Sequence, residues 1–239
     1  MLFLFIIITF SSSSSVKYRL HTAKNQLQDI RTTIAPVPTV YLAPSIPSAK
    51  LIQSTFVPQS PEKNWDEPWQ DACEEASLLT VNYYYQQQNP SLGQIKQDLL
   101  AMFDYELAQG WSHDLNLNQM SYLANHYWSY TTQIIDNPST ADLVSHLAAG
   151  HPIIIPANGK ILYRENHHFK DGGPYYHNLV ILGYDYPQHQ FIVHDVGTQY
   201  GAYFRYSFDT LIESIHDFPK SGLKQEINDG AKRALVLLK

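Results

Sequence analysis

Helical and strand patterns of apolar and polar residues follow one another along the chain from about residue 71. Asp71 followed three residues later by Glu74 is a capping-box pattern, which predicts a helix with Asp71 as N-cap, Cys73 as second helical residue, and an end near Gln87. Further helices are expected over 91–108, 118–128 and 140–149, the last with Ser139 and Asp142 at capping spacing and Gly150 at its end. After residue 150 the pattern turns to short β-rich runs over 152–156, 177–184, 190–194, 202–206 and 232–238, with one helix over about 208–216. Helices first and an antiparallel sheet afterwards is an α+β arrangement.

The start of the chain reads differently. Residues 2–10 form an apolar run of signal-peptide length, shorter than the roughly 20 residues a bilayer span needs. Residues 1–15 are therefore expected to be a signal peptide or short membrane anchor, giving a secreted or surface-attached protein. Residues 16–54, rich in Pro, Ser and Thr and without helical periodicity, are expected to be a linker, with the domain over 55–239.

Composition narrows the function classes. The net charge is −6, and the 16 Lys and Arg residues are scattered, so no nucleic-acid partner is expected. A single cysteine rules out an intramolecular disulfide and a four-cysteine zinc site, leaving a buried spectator, a metal ligand among histidines, or a nucleophile. His167 and His168 beside Asp171 suggest a metal only superficially, because neighbours on an extended chain point to opposite sides; no metal or other cofactor is expected.

Cys73 in the first turn of a helix would feel the positive end of the helix dipole, which raises its thiolate fraction. Glu74 and Glu75 oppose this, so a cationic partner is needed. With an imidazolium in that role, alkylation is expected at an apparent pKa well below that of a free thiol. His177 precedes the apolar run 179–182, and a turn near Pro187 returns the chain as a hairpin. Residue 177 then lies opposite about residue 197, with Asp195 a diagonal neighbour on the same face, able to orient the ring; a one-residue slip would move it to the other face.

The order Cys, His, Asp on a helix start and two neighbouring strands is that of papain-like thiol enzymes. The local residues go further: Val57-Pro58-Gln59, Trp65, Cys73-Glu74-Glu75-Ala76-Ser77, Tyr176-His177, Gly183-Tyr184-Asp185 and His194-Asp195-Val196-Gly197. Together with Gly150-His151-Pro152 and Tyr206-Ser207 they resemble the stand-alone C39-like cysteine peptidases over about residues 55–218. His194 and Val196 depart from the family's Asn and Pro. The resemblance implies a papain-like fold and hydrolysis of a peptide or protein substrate through a thioester, with Cys73, His177 and Asp195 as catalytic residues. It also implies an oxyanion glutamine, Gln59 with Gln70 as the alternative, and a groove near Trp65, Tyr175 and Tyr176. Another amidase or acyltransferase, or a silent cell-surface binding module, stays open as an alternative.

Overall fold

The computed structural model describes residues 46–239. The expected signal segment 1–15 and residues 16–45 of the expected linker lie outside the described residues. Among the described residues seven strands form one antiparallel sheet: β1 (Ala49–Leu51), β2 (Thr131–Asp136), β3 (Ile153–Ala157), β4 (His177–Asp185), β5 (Gln190–His194), β6 (Phe204–Ser207) and β7 (Arg233–Leu238). The order is β2-β7-β3-β4-β5-β6, with β1 pairing the end of β4 beyond β3. That pairing brings residues 49–51 into the fold, and Ile52 is buried, so the domain starts ahead of the expected residue 55.

Strands β3 and β4 are buried along almost their whole length. Continuous apolar runs of this kind belong to strands covered on both faces. The helices are α1 (Cys73–Gln86), α2 (Leu92–Ala108), α3 (Leu117–Trp128), α4 (Thr140–Ala149), the short α5 (Gly159–Leu162) and α6 (Phe208–Ser214). Helices α1 and α4 pack on β4, α2 packs on α1, and α3 packs on β2 and β7. Pro156, which has no N–H to donate, sits where β7 no longer pairs with β3; there its carbonyl accepts from the N–H of His216 instead.

The architecture is α+β, a papain-type arrangement of helices on an antiparallel sheet. The expected helix over 140–149 forms with Ser139 and Asp142 in a reciprocal capping box and Gly150 at φ 93° closing its end. The start of α1 differs from expectation. Ala72 is the N-cap and makes no side-chain cap, Cys73 is the first helical residue, and Asp71 pairs with Lys224 Nζ at 2.8 Å. A 3-10 turn over Trp69–Asp71 runs directly into the helix, and the lysine outcompetes the backbone for the carboxylate. Strand β2 also departs from the helices-then-sheet order: its two threonines and two isoleucines join the sheet edge against β7, between α3 and α4.

Two buried carboxyls, Glu75 of α1 and Glu106 of α2, meet where these helices pack, and among the described residues no other donor reaches their four oxygens. Burial pushes Glu106 up to about 7. Burial and then the charges of Glu106 and Glu74 push Glu75 well up. A shared proton is the hydrogen bond open to the pair. Because the folded state holds the Glu106 proton more tightly than the unfolded chain, stability is lost as pH rises from the ordinary glutamate value through about 7. Glu106→Gln, which donates to Glu75 without needing the proton, is expected to flatten the fall in urea-unfolding free energy between pH 5 and 8. An unchanged pH slope would show that the pair is not the source.

Candidate active site

The β4–β5 hairpin sets one half of the site. Val180 pairs with His194, and a bulge between Ile181 and Gly183 precedes the Tyr184–Phe191 pair. Extending the Val180–His194 register places residue 177 level with residue 197. Gly197 does lie against the ring: a Cβ there would stand 2.6 Å from His177 Cε1. Strand β5 stops at His194, and Asp195 sits just beyond it, its N–H donating to the Gly201 carbonyl at 2.9 Å.

His177 Nε2 lies 2.9 Å from Asp195 Oδ1, with both side chains buried. The second oxygen, Oδ2, accepts from Tyr206 Oη at 2.6 Å and Asn166 Nδ2 at 2.9 Å, while the Gly197 N–H reaches Oδ1 at 3.3 Å. Burial alone would raise the Asp195 pKa. The His177 charge and the bonds from His177, Tyr206 and Asn166 outweigh it and hold the carboxyl below the usual aspartate range. The Tyr206 hydroxyl, pushed far up by burial and by the Asp195 charge, remains a proton donor. Phe169 meets the imidazole edge-on at 5.3 Å. The Nε2 bond to Asp195 leaves Nδ1 as the other nitrogen of the ring.

The start of α1 forms the other half. Cys73 is 5% exposed, and its Sγ donates to Glu74 Oε2 at 3.0 Å; Asn178 Nδ2, from the residue after His177, approaches the sulfur at 3.9 Å. Glu74 Oε1 accepts the Leu115 N–H at 3.1 Å, and the Leu115 carbonyl accepts from Tyr176 Oη at 2.7 Å. Leu115 thus ties the helix start to the β4 strand. Burial, then the Glu74 charge and hydrogen bond, then Glu75, push the Cys73 thiol well up. The expected lowering by the helix dipole is therefore reversed, because the sulfur is buried and faces the Glu74 carboxyl.

A loop over 217–231 closes against this half. Its ends meet through the Asp217 N–H and the Ala231 carbonyl at 2.8 Å, and Lys224 reaches both Asp71, at 2.8 Å, and Asp114, at 3.0 Å. Phe218 packs against Tyr176 at 5.0 Å. A cleft of about 640 Å³ runs along Asp114, Asn116, Asp217 and Phe218.

The structure brings His177 to Asp195 and places the residue next to His177 against Cys73. Gln59 is buried, and its Nε2 donates to the Trp69 and Gln70 carbonyls at 3.1 and 2.9 Å, so both amide hydrogens brace the turn before α1 and none faces the thiol. Gln70, the alternative, is exposed. Trp65 and Tyr175 present exposed rings, as a groove would need. Tyr176 does not: it is buried and spends its hydroxyl on Leu115, so it supports the site from behind. His167 lies edge-on to Tyr163, and His168 lies against Tyr200. His194, where the family has Asn, accepts the Tyr203 N–H at Nδ1 and donates from Nε2 to the Ser54 carbonyl; burial lowers its pKa to about 4. Asn166 carried no sequence signal, and Tyr206 was visible only as part of Tyr206-Ser207 before a helix.

A thiol at a helix start, packed on an antiparallel sheet that carries a histidine–aspartate pair, defines a protein of the papain type. The chain belongs to the Peptidase_C39 like family, whose model matches residues 53–216. No curated protein matches the sequence. Among solved structures, a crystal structure described as a "putative C39-like peptidase from Bacillus anthracis" is 18% identical, at a TM-score of 0.31, over 52% of this chain and 60% of that one. The match spans less than two thirds of that protein's length.

Tyr206→Phe is expected to lower stability at neutral pH by about 1–3 kcal/mol, because a buried carboxylate oxygen loses a donor. Asp195, with its folded pKa depressed, contributes stability that is present above the unfolded value of about 3.9 and lost as pH falls through the folded one. The substitution should therefore also move acid unfolding to higher pH. A variant with wild-type stability and an unshifted acid transition would show that Tyr206 does not hold the carboxylate.

Proposed function

We propose that the protein is a cysteine peptidase that hydrolyses amide bonds of a peptide or protein substrate through a Cys73 thioester. Membership of the Peptidase_C39 like family supports the peptidase class. The observation that carries the finer reading is the meeting of the α1 start with the β4 start: Asn178 approaches the Cys73 sulfur while its neighbour His177 is held by buried Asp195.

In this reading His177 Nδ1 takes the Cys73 proton, and the freed sulfur lone pair forms the C–S bond to the substrate carbonyl. The Cys73 N–H, in the first turn of α1 and so without an intrahelical partner, is a donor for the resulting oxyanion. Collapse breaks the C–N bond, and His177 returns the proton to the leaving amine. Water then gives its proton to His177 and attacks the thioester carbon; collapse breaks the C–S bond, the sulfur takes that proton back from His177, and the acid departs. Asp195 holds the ring and balances the imidazolium charge throughout. Gln59, with its amide hydrogens on two carbonyls, positions the turn that leads into Cys73.

Purified full-length protein assayed on a peptide library is expected to cleave, and Cys73→Ala to abolish cleavage. His177→Ala should cost roughly 10²–10⁴-fold, the range for losing a general acid–base. Cleavage that survives Cys73→Ala removes Cys73 from the mechanism. No cleavage by the wild type, with normal folding, favours the binding-module reading.

A further inference from the structure

We infer that His194 is a positioning residue for Asp195 and an acid-sensitive clasp: its neutral ring ties the segment entering the domain to the loop that carries Asp195, and uptake of a proton opens it. The catalytic role of Asp195 rests on the peptidase reading; the clasp itself does not.

Two backbone partners fix the proton on the ring. The Tyr203 N–H can only donate, so Nδ1, 3.1 Å away, must present its lone pair. The Ser54 carbonyl can only accept, so Nε2, also at 3.1 Å, carries the hydrogen. The ring is fully buried, with Phe56 edge-on at 5.2 Å and the Tyr203 ring at 4.4 Å. A second proton must go to Nδ1, where it meets the Tyr203 N–H. Charging the ring therefore breaks that bond.

Both segments that the ring joins lead to the site. Tyr203 stands at φ 53°, a left-handed backbone that a non-glycine residue adopts at a cost, and its N–H bond to His194 holds it there. Two residues earlier in the same loop, the Gly201 carbonyl accepts the Asp195 N–H at 2.9 Å. Ser54 lies on the entering segment, where the Gln59 N–H donates to the Val196 carbonyl at 3.0 Å and the Gln59 side chain braces the turn before Cys73. His194 thus clasps together the stretches of backbone that set Asp195 and Cys73 in place.

Little around the ring would stabilise an imidazolium. From the loop it faces Tyr203, whose hydroxyl bonds Gln53 and Ser54. From its own strand end comes Asp195, whose carboxylate is turned to His177, Asn166 and Tyr206. Across the hairpin stands Val180 of β4, and Tyr83, Tyr84, Tyr85 and Lys239 border the same cleft as Ser54 and Tyr203. Among the described residues no carboxylate forms a hydrogen bond to the ring, and burial lowers its pKa to about 4. An opened segment returns the ring to its ordinary value of 6.5, so the clasp is fully closed above that value and weakens as pH falls from it towards about 4.

Amide hydrogen exchange of the full chain, read by NMR, tests the clasp. Between about pH 7 and about pH 5 the protection factors of the Tyr203 and Asp195 amides should fall together, on the order of tenfold. His194→Asn keeps a side-chain oxygen for the Tyr203 N–H and cannot titrate, so it should show no such fall. On peptide substrates, kcat/KM at about pH 5 relative to about pH 7 should be higher in this variant than in the wild type. Wild-type protection that does not change with pH overturns the inference, as does the same fall in His194→Asn. Equal activity ratios, or loss at Tyr203 with Asp195 still protected, overturn the positioning of Asp195. If the variant does not fold, the wild-type ring decides: its nitrogen shifts must show the Nε2–H tautomer at about pH 7 and a neutral ring at about pH 5, and a ring already protonated there overturns the inference. A folded protein that cleaves nothing removes the peptidase reading and leaves the exchange result standing.

Discussion

The Asp195 carboxylate is the constraint around which the sheet end of the site is arranged. A charge with no solvent exposure is tolerated only when paired and hydrogen-bonded, since the cost of taking it out of water is several kcal/mol. Its partners come from separate parts of the chain: His177 at the start of β4, Tyr206 of β6, Asn166 after α5 and the Gly197 N–H beyond β5. Satisfying one carboxylate therefore fixes the hairpin end, the β6 edge and the connection between α5 and β4. Close backbone approach adds to this, for a Cβ on Gly201 would lie 1.7 Å from the Asp195 carbonyl oxygen.

The helix end of the site has the opposite electrostatic character. His177 is supported by an anion, whereas Cys73 is surrounded by acidic side chains: Glu74 at the sulfur, Glu75 beside it and Asp114 beyond. The helix dipole contributes on the order of 1 kcal/mol and is outweighed by burial and an acidic side chain at hydrogen-bond distance. Lys224 answers part of the negative charge but is divided between Asp71 and Asp114. That lysine belongs to the 217–231 loop, past the residues matched by the family model, so the environment of the thiol depends on a segment outside the shared core.

Legibility in the sequence followed the range of the interactions. The helix over 140–149 was readable because Ser139, Asp142 and Gly150 act on backbone within a few residues. The His177–Asp195 pairing was readable because one tight hairpin carries both, although the bulge near Leu182 was not. Asp71 shows the limit: its spacing to Glu74 is that of a capping box, yet Lys224, more than 150 residues away, takes the carboxylate. Gln59 and Tyr176 fail in the same way, since their polar atoms are spent on the Trp69, Gln70 and Leu115 carbonyls. Asn166 lies in a connection with no pattern of its own, and only the folded chain brings it to Asp195.

By itself the sequence determined the α+β class, most helix and strand positions, and the residues able to do thiol chemistry, because these rest on local periodicity, capping and residue type. Tertiary structure alone decided the ionisation setting of the site. Burial and the approach of residues distant in sequence govern the local dielectric and the donors each group finds, and no spacing along the chain encodes either. Thus Asp195 is held as a carboxylate, Glu75 and Glu106 meet around a proton, and the Cys73 thiol turns to Glu74.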